Sequence, residues 1–427
     1  MKILHVTPAY FPTLGGCEVH VQKVSEGLVS QGHEVTVLTA NVQNIRELST
    51  GTCAGLPETE MINGVKVVRF KPDGGVVGSM LQGWHDHIRG SYRSTSMILG
   101  EDGVFLFLQV PRLIQLIPRL LAERMDVVAS VNWFWPPAYH AHLAKMLKPF
   151  PLVGIPIFHT AEPWWCERPI YKKMLAECDA VVVNTAYEGN FVQTHGAERV
   201  EVVGVGVDPA DFEHADGRAI RTRYGLADYP VVGYVGRADL NKGALLLLEA
   251  MKDVWKWNEE VRLVLAGPRA GRKSQVDAFI ASLTEFERKR VVLIDDFPDR
   301  EKASIFDSFD IFVLPSTGES FGIAYLEAWM LRKAVIGARI GPTQCVIDEG
   351  IDGLLVDPVD PGQTTGAIIE LLSDQEKRSK MGRMGYAKVL ARFTWDKVVR
   401  RMESLYLEVL AASRANGSSG RTNSSHR

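Results

Sequence analysis

Short runs rich in β-branched residues alternate with amphipathic stretches along almost the whole chain, and the pattern starts twice. In the first half the runs are Lys2–Val6, Glu34–Thr39, Val65–Phe70, Asp126–Val131, Leu152–Ile157, Ala180–Val183 and Val200–Val203. Between the first two, the spacing of Val21, Val24 and Leu28 predicts a helix, stopped by Gly32. Glycines and a proline then interrupt the pattern at Gly204-Val205-Gly206-Val207-Asp208-Pro209. It resumes with Val231–Val235, Arg262–Leu265, Val291–Ile294, Ile311–Leu314, Ala334–Ile336 and Leu354–Val356. Strands separated by helices form a parallel sheet covered on its faces. Two successive sets predict an α/β chain of two doubly wound domains, residues 1–205 and 206–394, with ligands at the carboxyl ends of the strands. A last helix is predicted over 395–412, where Val398, Val399, Met402, Leu405, Tyr406, Val409 and Leu410 share one face. Residues 413–427 carry no apolar side chain larger than Ala415 and read as a disordered tail.

Composition removes several classes. An apolar fraction of 46% over 427 residues is that of a folded globular chain. A net charge of −3 lacks the basic footprint that nucleic acid requires. No run of about 18 apolar residues is present, so no spanning helix is expected. The start, Met1-Lys2-Ile3-Leu4-His5-Val6, is too short an apolar run for a secretory signal. The five cysteines have no C-x-x-C spacing and an odd count, which reads as a reduced, cytoplasmic set with neither disulfide framework nor zinc site.

Three groups of residues carry chemistry. Gly15 and Gly16 sit between the first strand and first helix, where bare backbone N–H groups and the helix dipole favour an anion. Taken alone they are better explained as a glycine turn into a helix, since neither G-x-G-x-x-G nor G-x-x-x-x-G-K-[ST] is present. Arg237 and Lys242 flank one strand-to-helix loop, and a guanidinium fork with an ammonium suits a diphosphate. No D-x-D triplet occurs, so cationic side chains in place of a metal are a coherent way to stabilise a departing diphosphate. Glu319 lies in a polar loop before a helix predicted to begin near Phe321, and Glu327 lies on the apolar side of that helix with Ile323, Met330 and Leu331. A carboxylate there needs donors, which a ribose diol or a neighbouring cation would supply.

In order along the chain, Gly15-Gly16-x-Glu18, Phe158-His159-Thr160, Arg237-x4-Lys242-Gly243, Glu319-x-Phe321-Gly322-x4-Glu327 and Asp352-Gly353-Leu354-Leu355-Val356 resemble the retaining nucleotide-sugar glycosyltransferases of family 4. The resemblance covers residues 1 to 412 and implies a GT-B fold, two Rossmann-like domains facing a central cleft, with the last helix returning to the first domain. It also implies residue roles. Gly15 and Gly16 amides approach the diphosphate or the donor sugar; Arg237 and Lys242 hold the diphosphate; Glu319 contacts sugar hydroxyls; the backbone at Phe321 and Gly322 seats sugar and phosphate; Glu327 binds the ribose. His159 matches the active-site histidine beside the sugar. Ile294-Asp295-Asp296-Phe297-Pro298 falls where the family has a glycine-containing loop against the base, and that glycine is absent here.

The reading is a metal-independent, retaining, cytoplasmic hexosyltransferase with no obligatory cofactor. Its co-substrate is a nucleoside-diphosphate sugar, a UDP-sugar ahead of GDP-mannose, and its acceptor is a small-molecule, glycan or lipid-linked hydroxyl. The rivals are a nucleotide-sugar epimerase of the same architecture and an inactive sugar-nucleotide-binding protein. His85 and His87, like His140 and His142, are two apart and so do not share a helical face; no further ligands accompany them, and no metal site is expected. Val104–Leu121 is apolar with a stripe of Arg112, Gln115 and Arg119, which suits a docked helix or a peripheral contact with the membrane's inner face. Trp133, Trp135, Trp164 and Trp165 are candidates to stack on an acceptor or to fill the core.

Overall fold

A computed structural model describes residues 1–13, 15–72, 113, 115–158, 166–237, 240–268 and 273–422. The chain folds as two compact units: Met1–Gly204 together with the chain from Val398 onward, and Val205–Lys397.

The first unit is built on an eight-stranded sheet. Its strands are β1 (Lys2–Val6), β2 (Glu34–Ala40), β3 (Thr59–Ile62), β4 (Val65–Phe70), β5 (Val127–Val131), β6 (Leu152–Ile155), β7 (Ala180–Val183) and β8 (Val200–Val202). The order is β3-β4-β2-β1-β5-β6-β7-β8, parallel except for β3, which pairs antiparallel with β4. The strand β3 is one that apolar runs do not announce: a single edge, closed by the Asn63-Gly64 turn with both residues at positive φ. The expected strand Leu152–Ile157 ends earlier, at Ile155, because Pro156 cannot donate to the ladder and Ile157 turns to φ 56°. Strands buried on both faces, such as Val127–Val131, are near-continuous apolar runs, as parallel sheets require.

The second unit carries β9 (Val231–Val235), β10 (Arg262–Ala266), β11 (Val291–Ile294), β12 (Ile311–Leu314), β13 (Ala334–Ala338) and β14 (Gly353–Val356). They form an all-parallel sheet in the order β11-β10-β9-β12-β13-β14. Apart from the antiparallel hairpin β3–β4, the chain in each unit reverses its direction of progress at one place: between β1 and β5 in the first, between β9 and β12 in the second. The loops leaving those strands are where an open α/β sheet places its ligand.

The last helix, Trp395–Thr422, starts in the second unit and belongs to the first from Val398. Every member of its predicted apolar face is buried. Tyr406 Oη lies 3.1 Å from His5 Nε2, and His33 Nε2 lies 2.7 Å from Glu403 Oε1. The helix does not stop at Ala412, and the expected disordered tail is helical as far as Thr422. Once a helix is nucleated, Ala411, Ala412, Arg414 and Ala415 extend it at little cost without an apolar face. No helix among the described residues is long and apolar enough to cross a membrane.

Candidate functional site

The loops after β9 and β12 are stitched to each other. The Asn241 carbonyl accepts from the Thr317 N–H at 2.8 Å and from Ser316 Oγ at 2.7 Å. Gly243 caps the helix Ala244–Trp257 at φ 76°, and a Cβ there would stand 2.2 Å from the Pro315 carbonyl oxygen, so only glycine lets the two loops meet. This join brings two of the predicted residues together: Lys242 Nζ donates to Glu319 Oε1 at 2.6 Å. Glu319 is buried and Lys242 half-buried, so the pair has one face toward solvent. Arg237 lies on the same loop as Lys242 with its side chain exposed, and its carbonyl accepts from Tyr234 Oη at 2.7 Å.

Beyond this loop the helix Ile323–Met330 is capped by Gly322, φ 93°, and begins two residues later than the sequence suggests. Glu327 therefore stands about 6 Å along the helix axis rather than about 9 Å. It is not grouped with Glu319; its Oε1 accepts from Nζ of Lys302, on the helix Asp299–Asp307. Phe321 is buried and packs edge-on against Phe393 at 5.5 Å, so only its backbone is available to a ligand. Phe297 packs part of its ring against the core of this unit. Asp352 is buried and ion-paired with Lys388, while its carbonyl accepts from Trp329 Nε1 at 2.9 Å; the Asp352-Gly353 motif is a structural node. Among the described residues no three His, Cys, Asp or Glu side chains are grouped to hold a metal ion.

In the first unit, Gly15 caps the helix Gly16–Ser30. The carboxylate of Glu18 folds back over it: a Cβ at Gly15 would stand 2.3 Å from Glu18 Oε2. The negative group at this helix start is thus the protein's own, and burial raises the Glu18 pKa while its own backbone N–H lowers it. Arg69, nearly inaccessible, donates from Nη2 to the Phe11 carbonyl at 2.7 Å and holds the loop leading to Gly15. Trp133 is a core ring stacked on Tyr171 with 6.3 Å between centroids, and Trp135 packs against the same core. His140 and His142 are both buried on the helix Pro136–Leu147, and His142 Nδ1 lies 3.4 Å from Glu177 Oε2. His159, Trp164 and Trp165 lie outside the described residues, as does Val104–Leu121 apart from Leu113 and the stretch from Gln115. In that described part Leu113, Leu116 and Leu120 are buried.

Comparison with known proteins bears on this arrangement directly. Residues 14–211 match the model described as Glycosyltransferase Family 4, and residues 218–388 match the one described as Glycosyl transferases group 1. The chain belongs to the family 4 glycosyltransferases. A D-inositol 3-phosphate glycosyltransferase of Corynebacterium kroppenstedtii is 26% identical over 95% of this chain and 89% of that relative. One from Xylanimonas cellulosilytica is 31% identical over 56% and 58%. Two solved structures show the GT-B fold of this family 4 chain. Sucrose-phosphate synthase from Thermosynechococcus elongatus has a TM-score of 0.72 at 19% identity, covering 96% of this chain and 99% of that one. Anabaena Alr3699/HepE in complex with UDP-glucose has a TM-score of 0.71 at 17% identity, covering 96% and 100%. The family is one of enzymes, and this member is of the hexosyltransferase type.

Three polar residues of this glycosyltransferase escape a reading of motifs: Lys302, Arg69 and Glu188. Glu188 is buried on the helix Ala186–Thr194 and accepts from the backbone N–H groups of Phe158 at 2.8 Å and Asn184 at 2.9 Å. Burial pushes its carboxyl up to about 7, while the two amides pull it down.

Proposed function

We propose that the protein transfers a hexose from a nucleoside-diphosphate sugar, a UDP-sugar before GDP-mannose, to a hydroxyl of a small-molecule acceptor. The anomeric configuration is retained and no divalent ion is needed. The observation that carries the reading is the Lys242–Glu319 pair, 2.6 Å apart, on two joined loops at the strand-order reversal of the second unit, with Arg237 on the same loop. An ammonium has three donors, so Lys242 can keep Glu319 and still reach a phosphate oxygen. Arg237 adds a planar fork for the same diphosphate. Together they would stabilise the charge that grows on the diphosphate as the glycosidic bond to it breaks. Glu319, held by Lys242, is left with acceptor capacity for sugar hydroxyls. His159 is assigned to the sugar by the family motif. The Glu18 carboxylate beside Gly15 favours hydroxyl donors over a second anion there, so the Gly15–Gly16 turn is assigned to the sugar rather than the diphosphate. The names of the relatives make D-inositol 3-phosphate the first acceptor to try.

The test is nucleotide release measured with UDP-hexoses, UDP-N-acetylhexosamines and GDP-mannose, with and without acceptor, and with proton NMR of the product. Release should depend on acceptor, persist in EDTA, and give a product with the donor's anomeric configuration. Acceptor-independent release with an altered sugar would point to an epimerase. Complete loss in EDTA restored by magnesium would remove the metal-free assignment. An inverted anomeric centre would remove retention.

Glu327→Gln tests the nucleotide side separately. A charged hydrogen bond contributes about 1.5–3 kcal/mol, so losing one to a ribose hydroxyl should weaken nucleotide binding about tenfold or more by calorimetry. Unchanged affinity would leave Glu327 as the partner of Lys302 alone.

A further inference from the structure

Ile157 is a β-branched residue at φ 56°, a backbone conformation such residues avoid and keep only when their surroundings impose it. The chain is pinned on both sides of it. Before it, the Pro156 carbonyl accepts from the Trp133 N–H at 3.2 Å. After it, the Phe158 N–H donates to Glu188 Oε1 at 2.8 Å, and the Phe158 ring is boxed by Trp133, Tyr171 and Phe191 at 5.5–6.0 Å between centroids. Glu188 comes from a different strand-to-helix connection, the one after β7. Thr185-Ala186-Tyr187-Glu188 has the spacing of a capping box, and the Thr185 hydroxyl does accept from the Glu188 N–H at 3.2 Å. In a capping box the glutamate would return to the N–H of Thr185. Here it goes instead to Asn184, one residue earlier, and across to Phe158. A buried carboxylate with one oxygen on each of two loops is a clamp between them, not the cap of its own helix.

We propose that Glu188 is a positioning residue for sugar transfer: it fixes the backbone at Phe158, the residue immediately before His159, directly after the left-handed turn at Ile157. The inference rests on the transfer reading above, because His159 is the group whose placement gives the clamp its purpose. A carboxylate suits the task because it accepts at both oxygens. A carboxamide would set its N–H2 against one of the two backbone N–H groups.

The experiment is a double-mutant cycle on the full chain in the transfer assay, combining Glu188→Gln with His159→Ala. Glu188→Gln alone should lower kcat about tenfold or more while donor KM stays within twofold. In the His159→Ala background the same change should cost less than twofold, since a residue acting through position 159 has nothing left to position. An equal loss in both backgrounds would overturn the inference and make Glu188 merely structural. So would a normal kcat in Glu188→Gln beside an impaired His159→Ala. Full turnover in His159→Ala would overturn the transfer reading and this inference with it. If the Gln variant does not fold, Glu188→Asp, which keeps the charge but is too short to reach both loops, is read by the same criteria.

Discussion

Arg237→Ala and Lys242→Ala should each lower turnover about 100-fold or more, the usual cost of removing one contact to charge that develops in a transition state. The two variants should differ in stability, and that difference makes the result interpretable. Arg237 is exposed, so its truncation should lower the melting temperature less than that of Lys242 does. Lys242 is hydrogen-bonded to a buried carboxylate, and its loss strands Glu319 in a site only 7% exposed. Removing one partner of a buried ion pair costs up to about 3–5 kcal/mol, so Lys242→Ala should also melt lower. Removing both partners separates the effects when it is compared with Glu319→Ala alone: Lys242→Ala with Glu319→Ala should recover the melting temperature and be slower still than Glu319→Ala. If turnover returned with stability, Lys242 would be a structural lysine. Turnover within twofold of wild type in both single variants would remove the diphosphate from this loop.

The sheets were written in the sequence because buried parallel strands leave little choice of residue. β9, β12 and β13 are apolar throughout and lie where alternation places them. The strand β3 was hidden because an antiparallel edge strand with one wet face needs no apolar run; its signal was the Asn63-Gly64 pair that closes the hairpin. Arg69 also left a trace. In Val65-Lys66-Val67-Val68-Arg69-Phe70 it occupies the inward parity of the strand, where an arginine must have partners.

The loops after β9 and β12 were legible because each is short and continuous, so the residue types and their spacing define it. What joins residues distant in sequence was not. Lys302 reaches Glu327 only because the helix Asp299–Asp307 packs beside the helix Ile323–Met330, and nothing in Arg300-Glu301-Lys302 marks that neighbour. Glu188 was masked differently: its spacing from Thr185 fits a local cap, and a local explanation hides a tertiary one. The covering of Gly15 by Glu18 belongs to the same class, since sequence shows a glycine turn followed by an acid but not where the acid folds.

Acid should unfold the first unit before the second. Burial pushes His5 down to about 3, with nearby His20 adding to the effect, and pushes His20 and His140 down to about 4, from an ordinary 6.5. A group whose folded pKa lies below its unfolded one contributes stability above the unfolded value and loses it as pH falls toward the folded value. The window is therefore from about 6.5 down to about 4. At pH 5 each imidazole is about 1.5 pH units into it, a loss of about 2 kcal/mol apiece and about 6 kcal/mol for the three. Two carboxyls in the same unit work the other way. Glu188 is raised to about 7 and Glu18 is raised by burial, so the folded state protonates them first and gains as pH falls. For Glu188 that gain is about 2–3 kcal/mol by pH 5, and it is complete near the unfolded value of about 4.3, below which only the histidine loss continues. A net loss of about 3 kcal/mol should lower the transition of a unit this size by about 10 °C. The second unit has one histidine, His214, and it is exposed. Calorimetric scans at pH 7.5 and pH 5 should separate into two transitions, with nucleotide affinity persisting after the first. His140→Leu should shrink the acid shift by the share of one imidazole. A first-unit transition that rises between pH 7.5 and pH 5, leaving only the carboxyl gain, would mean that these histidines are already charged in the folded protein.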